Sequence, residues 1–141
     1  MAVAQHRDAG RAAAAGEGPG VGRHLLADFW TDDAEALRWA ADWEGLLVGA
    51  CRAAGATVLA ARFHQFRPCG VTGVVLLAES HASVHTWPER GLVTLDVFTC
   101  GSMDAQAVIE AVRAAVQPTR ERVTAMERGV PAARTPPGAC V

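Results

Sequence analysis

Apolar and polar positions alternate with a period of two in several short stretches of this chain, and with the helical period of 3.6 in two longer ones. Between Leu92 and Phe98, Val93, Leu95 and Val97 point one way while Thr94 and Asp96 point the other, the pattern of a half-buried strand. Val74 to Ala78 is a continuous apolar run, which suits a central strand. Leu25–Trp30 and Thr57–Phe66 read as further strands, the second turned by Pro68-Cys69-Gly70. Val84-His85-Thr86-Trp87 is short and extended, ahead of a turn at Pro88-Glu89-Arg90-Gly91. Trp39, Trp43, Leu46, Leu47, Ala50 and Ala54 share one face of a helix that Thr31-Asp32-Asp33 caps and Gly55 ends, with both tryptophans assigned to the core. Val108, Ile109, Val112, Ala115 and Val116 make a second helix, stopped by Pro118, and Arg122 to Glu127 closes the fold as a strand. This order predicts an α+β two-layer sandwich: an antiparallel β-sheet with two helices on one face. The other face is then uncovered, and a homodimer is one way to cover it.

Residues 1–21 are rich in alanine, glycine and charge without periodicity, and are expected to be a disordered extension. Residues 131–141 carry three prolines and should be a flexible tail, which leaves 22–130 for the fold. Half the residues are hydrophobic and the net charge is −2, so no nucleic-acid footprint is present. The apolar stretches fall well short of the roughly 20 residues that span a bilayer. Charges stand near the N-terminus where a secretory signal would be apolar, so the expected location is cytoplasmic, with no membrane partner. Cys51, Cys69, Cys100 and Cys140 show neither CxxC nor zinc spacing; they read as free thiols and no metal site is expected. All 13 basic residues are arginine. Without a lysine amine, pyridoxal-phosphate chemistry is excluded, together with lysine aldolase and P-loop mechanisms.

The chemistry concentrates where the apolar run of Gly70 to Ala78 empties into Glu79-Ser80-His81, followed by His85-Thr86-Trp87-Pro88-Glu89. A second apolar run ends on Thr99-Cys100-Gly101. A nucleophile, imidazoles and a carboxylate at strand ends are the parts of a catalytic site. A cysteine hydrolase using Cys100 with His85 as base is one reading, and a non-catalytic binding module is another. His24 and His81 read as structural hydrogen-bonding groups, and a metal or triad element made of Asp96 with His85 is set aside.

Gly22-Arg23-His24-Leu25-Leu26, Phe63-His64-Gln65-Phe66, Gly70-Val71-Thr72-Gly73, Ala78-Glu79-Ser80-His81, His85-Thr86-Trp87-Pro88-Glu89 and Asp96-Val97-Phe98-Thr99-Cys100-Gly101 resemble, in order and spacing, the short prokaryotic S-adenosylmethionine decarboxylase proenzymes. The resemblance runs over about residues 22 to 129. It implies that Ser80 attacks the Glu79 carbonyl, that the resulting ester undergoes β-elimination, and that hydrolysis leaves a pyruvoyl group on a new α chain, 80–141, beside a β chain, 1–79. That ketone is the cofactor of such enzymes. It forms a Schiff base with the amine of S-adenosylmethionine, takes up the electrons left by departing CO2, and yields the aminopropyl donor for spermidine. By matched position, Glu79, Ser80, His85 and Thr72 are the processing residues, with His85 removing the Ser80 α-proton and Thr72 steadying an oxyanion. Cys100 is the acid that protonates the substrate carbon, Glu89 receives the ribose hydroxyls, and Phe66 with Trp87 stacks on the adenine near the sulfonium. A homodimer of processed αβ units is implied. Thr72 stands where a serine is usual, which bears on processing, and Arg90 where an aromatic is common, which bears on the substrate rim; arginine or ornithine, substrates of relatives of this family, stays open as the substrate. A regulatory homologue that does not cleave itself stays open as well.

Overall fold

The computed structural model describes residues 20–131. The greater part of the expected extension and tail lies outside the described residues. Chain order is β1 (Gly22–Trp30), a 3-10 turn (Ala34–Leu37), α1 (Ala40–Ala53), β2 (Val58–Gln65), β3 (Val71–Leu77), β4 (Ser80–Trp87), a second 3-10 turn (Pro88–Arg90), β5 (Leu92–Thr99), α2 (Ala105–Val116) and β6 (Arg120–Arg128). The strands form one sheet in the order β2-β3-β4-β5-β1-β6, and every neighbouring pair is antiparallel. The α+β two-layer architecture is as the sequence predicts.

Alternation decides which side chains enter the core. Leu25, Ala27 and Phe29 of β1, Val75 and Leu77 of β3, Ala82 and Val84 of β4, and Val93, Leu95 and Val97 of β5 are all buried on the helical face. Trp43, Leu47 and Cys51 of α1 and Val108, Ile109 and Val112 of α2 close over them. Each of the larger aliphatic and aromatic side chains contributes roughly 1.5–3 kcal/mol relative to exposure, so this layer outweighs any single polar contact on the other side. The opposite face carries His24 and Leu26 of β1, Thr72, Val74 and Leu76 of β3, His81, Ser83, His85 and Trp87 of β4, and Asp96 and Phe98 of β5.

One helix expected from Thr31 onward is two pieces. Asp33 caps the 3-10 turn by accepting from the Glu35 N–H, and the chain then becomes extended at Trp39 (φ −116°, ψ 129°) before α1 starts. Gln65 holds this break open: its carbonyl accepts the Ala40 N–H at 2.7 Å and its amide donates to the Arg38 carbonyl at 2.7 Å. The consequence is a correction to the expected core. Trp43 is buried, whereas Trp39 is 47% exposed with the Arg38 guanidinium 5.6 Å from its ring. The ends behave as the sequence indicates. Gly55 (φ 88°) terminates α1, and Gln117 in left-handed conformation terminates α2 just before Pro118.

Two features shape the neighbourhood of the chemistry. The Phe63 ring covers Gly73 across β2 and β3 so closely that no Cβ would fit there. The β3–β4 connection is a two-residue turn, Ala78-Glu79, with Leu77 paired to Ser80. Such hairpins normally place positive φ inside the turn. Here the departure falls on Ser80 instead, at φ 147°.

Candidate active site

Ser80 is a non-glycine residue in a backbone region that L side chains rarely enter, a conformation that costs about 1–3 kcal/mol. Pairing on both sides holds it there, with Leu77 on one flank and Thr99 on the other. The peptide carbonyl before it is also held. Glu79 O accepts from the Cys100 N–H at 3.0 Å and from the Cys100 Sγ at 3.1 Å. Two donors on one carbonyl oxygen form an oxyanion hole, since both strengthen as negative charge grows on that oxygen. Gly101 permits the approach, because a Cβ there would stand 2.8 Å from Glu79 Cγ. The Glu79 carboxylate itself turns away. The Thr57 N–H donates to both of its oxygens, at 3.2 and 3.1 Å, and keeps its carboxyl below the usual range against the opposing effect of desolvation.

A second cluster occupies the far end of β4. Thr72 Oγ1 lies 2.9 Å from His85 Nδ1. Phe66, Gly70, Thr72, His85, Trp87 and Glu89 line one cleft of about 290 Å³. Phe66 and Trp87 are 48% and 37% exposed there, so their faces are available to a ligand. His85 is five residues from Ser80 on one strand, a separation of roughly 16 Å at 3.3 Å per residue. The expected site residues therefore fall into two groups: Glu79, Ser80 and Cys100 at one end of β4, and Phe66, Thr72, His85, Trp87 and Glu89 at the other.

Comparison with known proteins identifies the family of the chain. Residues 23–129 match the family model described as S-adenosylmethionine decarboxylase. The chain is 42% identical over 110 residues to the S-adenosylmethionine decarboxylase proenzyme of Methanococcus aeolicus, covering 77% of this chain and 94% of that protein. It is 43% identical over 111 residues to the proenzyme of the same name from Aquifex aeolicus, covering 78% and 82%. The crystal structure of the adenosylmethionine decarboxylase from Aquifex aeolicus superposes with a TM-score of 0.75 at 39% identity, covering 84% of this chain and 98% of that one. The chain belongs to the S-adenosylmethionine decarboxylase family. It is a decarboxylase proenzyme by descent, which leaves the cysteine-hydrolase reading without support.

The expected site residues do not exhaust the polar groups on the open sheet face. Asp96, at the centre of β5, accepts from the Ser83 hydroxyl, from His24 Nε2 at 2.8 Å and from His81 Nε2 at 3.0 Å. Arg128 donates to His24 Nδ1 at 2.8 Å. Partial burial opposes the charge on Asp96, but the hydrogen bonds from Ser83, His24 and His81 prevail and hold its carboxyl below the ordinary value of 3.8. The sequence indicates hydrogen-bonding roles for both histidines, without naming their partner. Asp96 pairs with His24 and His81. The signal was present in the alternation, which puts His81 and Ser83 on one face of β4 with Asp96 directly across from Ser83. His24, His81 and Asp96 also lie within 4.8 Å of one another, close enough to share a cation, though the Arg128 guanidinium stands at that edge.

Ionised Asp96 should therefore stabilise the fold above the unfolded carboxylate pKa, with the contribution lost as pH falls through its lower folded value. Asp96→Asn is expected to lower Tm at neutrality and to flatten its fall toward about pH 3, as read by thermal melts across that range. Elsewhere, burial pushes the Cys51 thiol up to about 11, which marks it as an inert core group beside exposed Cys100.

Proposed function

We propose that this chain cuts its own Glu79–Ser80 bond, converts Ser80 into a pyruvoyl group, and uses that group to decarboxylate S-adenosylmethionine, supplying the aminopropyl donor for spermidine. The observation that carries the reading is the doubly hydrogen-bonded Glu79 carbonyl beside a strained serine. Ser80 Oγ can reach that carbonyl through a five-membered ring. The Cys100 N–H stabilises the resulting charge by roughly 2.7–4 kcal/mol, the range for one oxyanion-hole donor, and the weaker Sγ–H adds to it.

The residues fit a carbonyl cofactor at position 80. Ser80 lies at a strand end, so a cut before it leaves both new termini beside a turn. A pyruvoyl ketone there supplies the electron sink that decarboxylation of an amino acid requires. Cys100 Sγ loses its Glu79 partner on cleavage and is then free to deliver a proton beside residue 80. His85, oriented through Nδ1 by Thr72, keeps Nε2 for the Ser80 α-proton during elimination. Phe66 and Trp87 offer π faces to the adenine and the sulfonium, a contact worth roughly 0.5–2 kcal/mol, and Glu89 accepts from the ribose hydroxyls. This aromatic–carboxylate cleft suits a nucleoside better than free arginine or ornithine.

Two copies are needed for these roles to meet. Within one chain, His85 is too far from Ser80 to touch its α-proton. A two-fold partner packed through the open sheet face would bring Thr72, His85 and the cleft of one copy to Ser80 and Cys100 of the other. Leu26, Val74, Leu76 and Met126, exposed on that face, would be covered in the same step. Among the described residues no helix is long and apolar enough to cross a membrane, and we assign the enzyme to the cytoplasm.

Intact-mass analysis of freshly purified protein tests the reading. Two fragments divided at 79/80, the second with a blocked N-terminus, are expected, along with labelled CO2 release from S-adenosylmethionine and not from arginine or ornithine. A single uncut species of 14.8 kDa would remove the proposal.

A further inference from the structure

Self-cleavage needs a base for the Ser80 hydroxyl, and within one chain His85 does not reach it. We propose that His81 is that base, and that Asp96, steadied by His24, Ser83 and Arg128, sets its proton-bearing nitrogen. The inference rests on the self-cleavage reading and assigns its first step.

The hydrogen-bond partners determine the tautomers. A guanidinium only donates, so His24 Nδ1, which receives Arg128, carries a lone pair. His24 is then neutral with its proton on Nε2, directed at Asp96. An ionised Asp96 only accepts, so the His81 nitrogen facing it at 3.0 Å also bears its proton, and this is Nε2 again. Neutral His81 is left with a lone pair on Nδ1, and Nδ1 stands 3.2 Å from Ser80 Oγ. Serine, imidazole and carboxylate thus run in line as they do in a hydrolase triad, with the nucleophile aimed at its own backbone.

The step balances without any co-reactant. The Ser80 Oγ–H gives its proton to His81 Nδ1 as Oγ bonds to the Glu79 carbonyl carbon. The carbonyl π pair moves onto oxygen, where the Cys100 N–H and Sγ receive it. Asp96 stabilises the transient imidazolium. When the oxygen pair returns, the carbon–nitrogen bond breaks and nitrogen takes the proton back from His81. The products are an ester between Glu79 and Ser80 Oγ, a free amine on residue 80, and a neutral His81. All groups used here belong to one chain. The acyl shift is therefore completed within a copy, and only the later elimination calls on the His85 of a second copy.

Hydroxylamine separates the two steps, because it splits the ester and spares the peptide bond. Freshly made wild type, His81→Asn, Asp96→Asn and His85→Ala proteins are compared on denaturing gels with and without it, with circular dichroism as the fold check. His81→Asn is expected to stay whole in both lanes, its first step slowed by roughly 10²–10⁴-fold, the range for loss of a general base. His85→Ala is expected to stay whole alone and to split with hydroxylamine. Folded His81→Asn that self-cleaves at the wild-type rate, or that accumulates a hydroxylamine-sensitive ester, overturns the assignment while leaving self-cleavage standing. Wild type that never cleaves removes both. If His81→Asn does not fold, Asp96→Asn decides: ester formation delayed by roughly 10²-fold or more supports the relay, and wild-type timing overturns it.

Discussion

Ser80→Ala should yield a single chain of the full 14.8 kDa with no decarboxylase activity and no reaction with phenylhydrazine. The substitution removes one oxygen atom and keeps the Cβ, so the hairpin and its pairing to Leu77 and Thr99 persist. What disappears is both the nucleophile of cleavage and the atom whose elimination creates the ketone. Activity should fall below detection, because no other group in the chain supplies an electron sink: there is no lysine to form one, and the uncatalysed loss of CO2 from an amino acid is far too slow. Intact mass and a carbonyl-labelling assay check the outcome. A cut chain, or residual labelling, would mean that the carbonyl arises elsewhere.

The second large effect concerns assembly. Homodimers of Ser80→Ala and of His85→Ala should each be inactive, since every site in them lacks one essential group. Co-expressed, the two variants should recover activity. In a mixed dimer one site combines both lesions, while the other combines an intact Ser80 with an intact His85. With random pairing about a quarter of wild-type activity is expected, half the dimers being mixed and half their sites intact. Differentially tagged chains, tandem-purified so that only mixed dimers remain and assayed for labelled CO2, should then show about half of wild-type activity. No recovery in purified mixed dimers would place the complete site within one chain and contradict the roughly 16 Å separation along β4. The same design bears on the His81 relay. Ester formation should occur in the His85→Ala homodimer, because nothing in the acyl shift is borrowed from the partner.

Much of this was legible in the chain itself. Strict alternation in β5 announces which of its side chains enter the core, and burial follows it residue by residue. The periodicity of α2 and the stop at Pro118 also hold, because local propensity and tertiary packing agree there. The Glu79-Ser80-His81 and His85 to Glu89 motifs mark the chemistry by residue type. Other features were hidden. The break at Trp39 depends on Gln65, a partner 25 residues from Ala40 that no local pattern reveals. The roles of His24 and His81 depend on Asp96 and Arg128, which lie on other strands.

By itself the sequence determined the layer architecture, the buried faces, the family and the residue types available for chemistry, since these follow from periodicity and side-chain identity. Tertiary structure alone decided how those residues are grouped. A strand extends by about 3.3 Å per residue, so two motifs five positions apart on β4 stand at opposite ends of a site. Sheet pairing, in turn, joins groups 72 positions apart, His24 and Asp96, at 2.8 Å. Distance along a chain and distance in space are set by different forces, and here the reacting groups depend on the second.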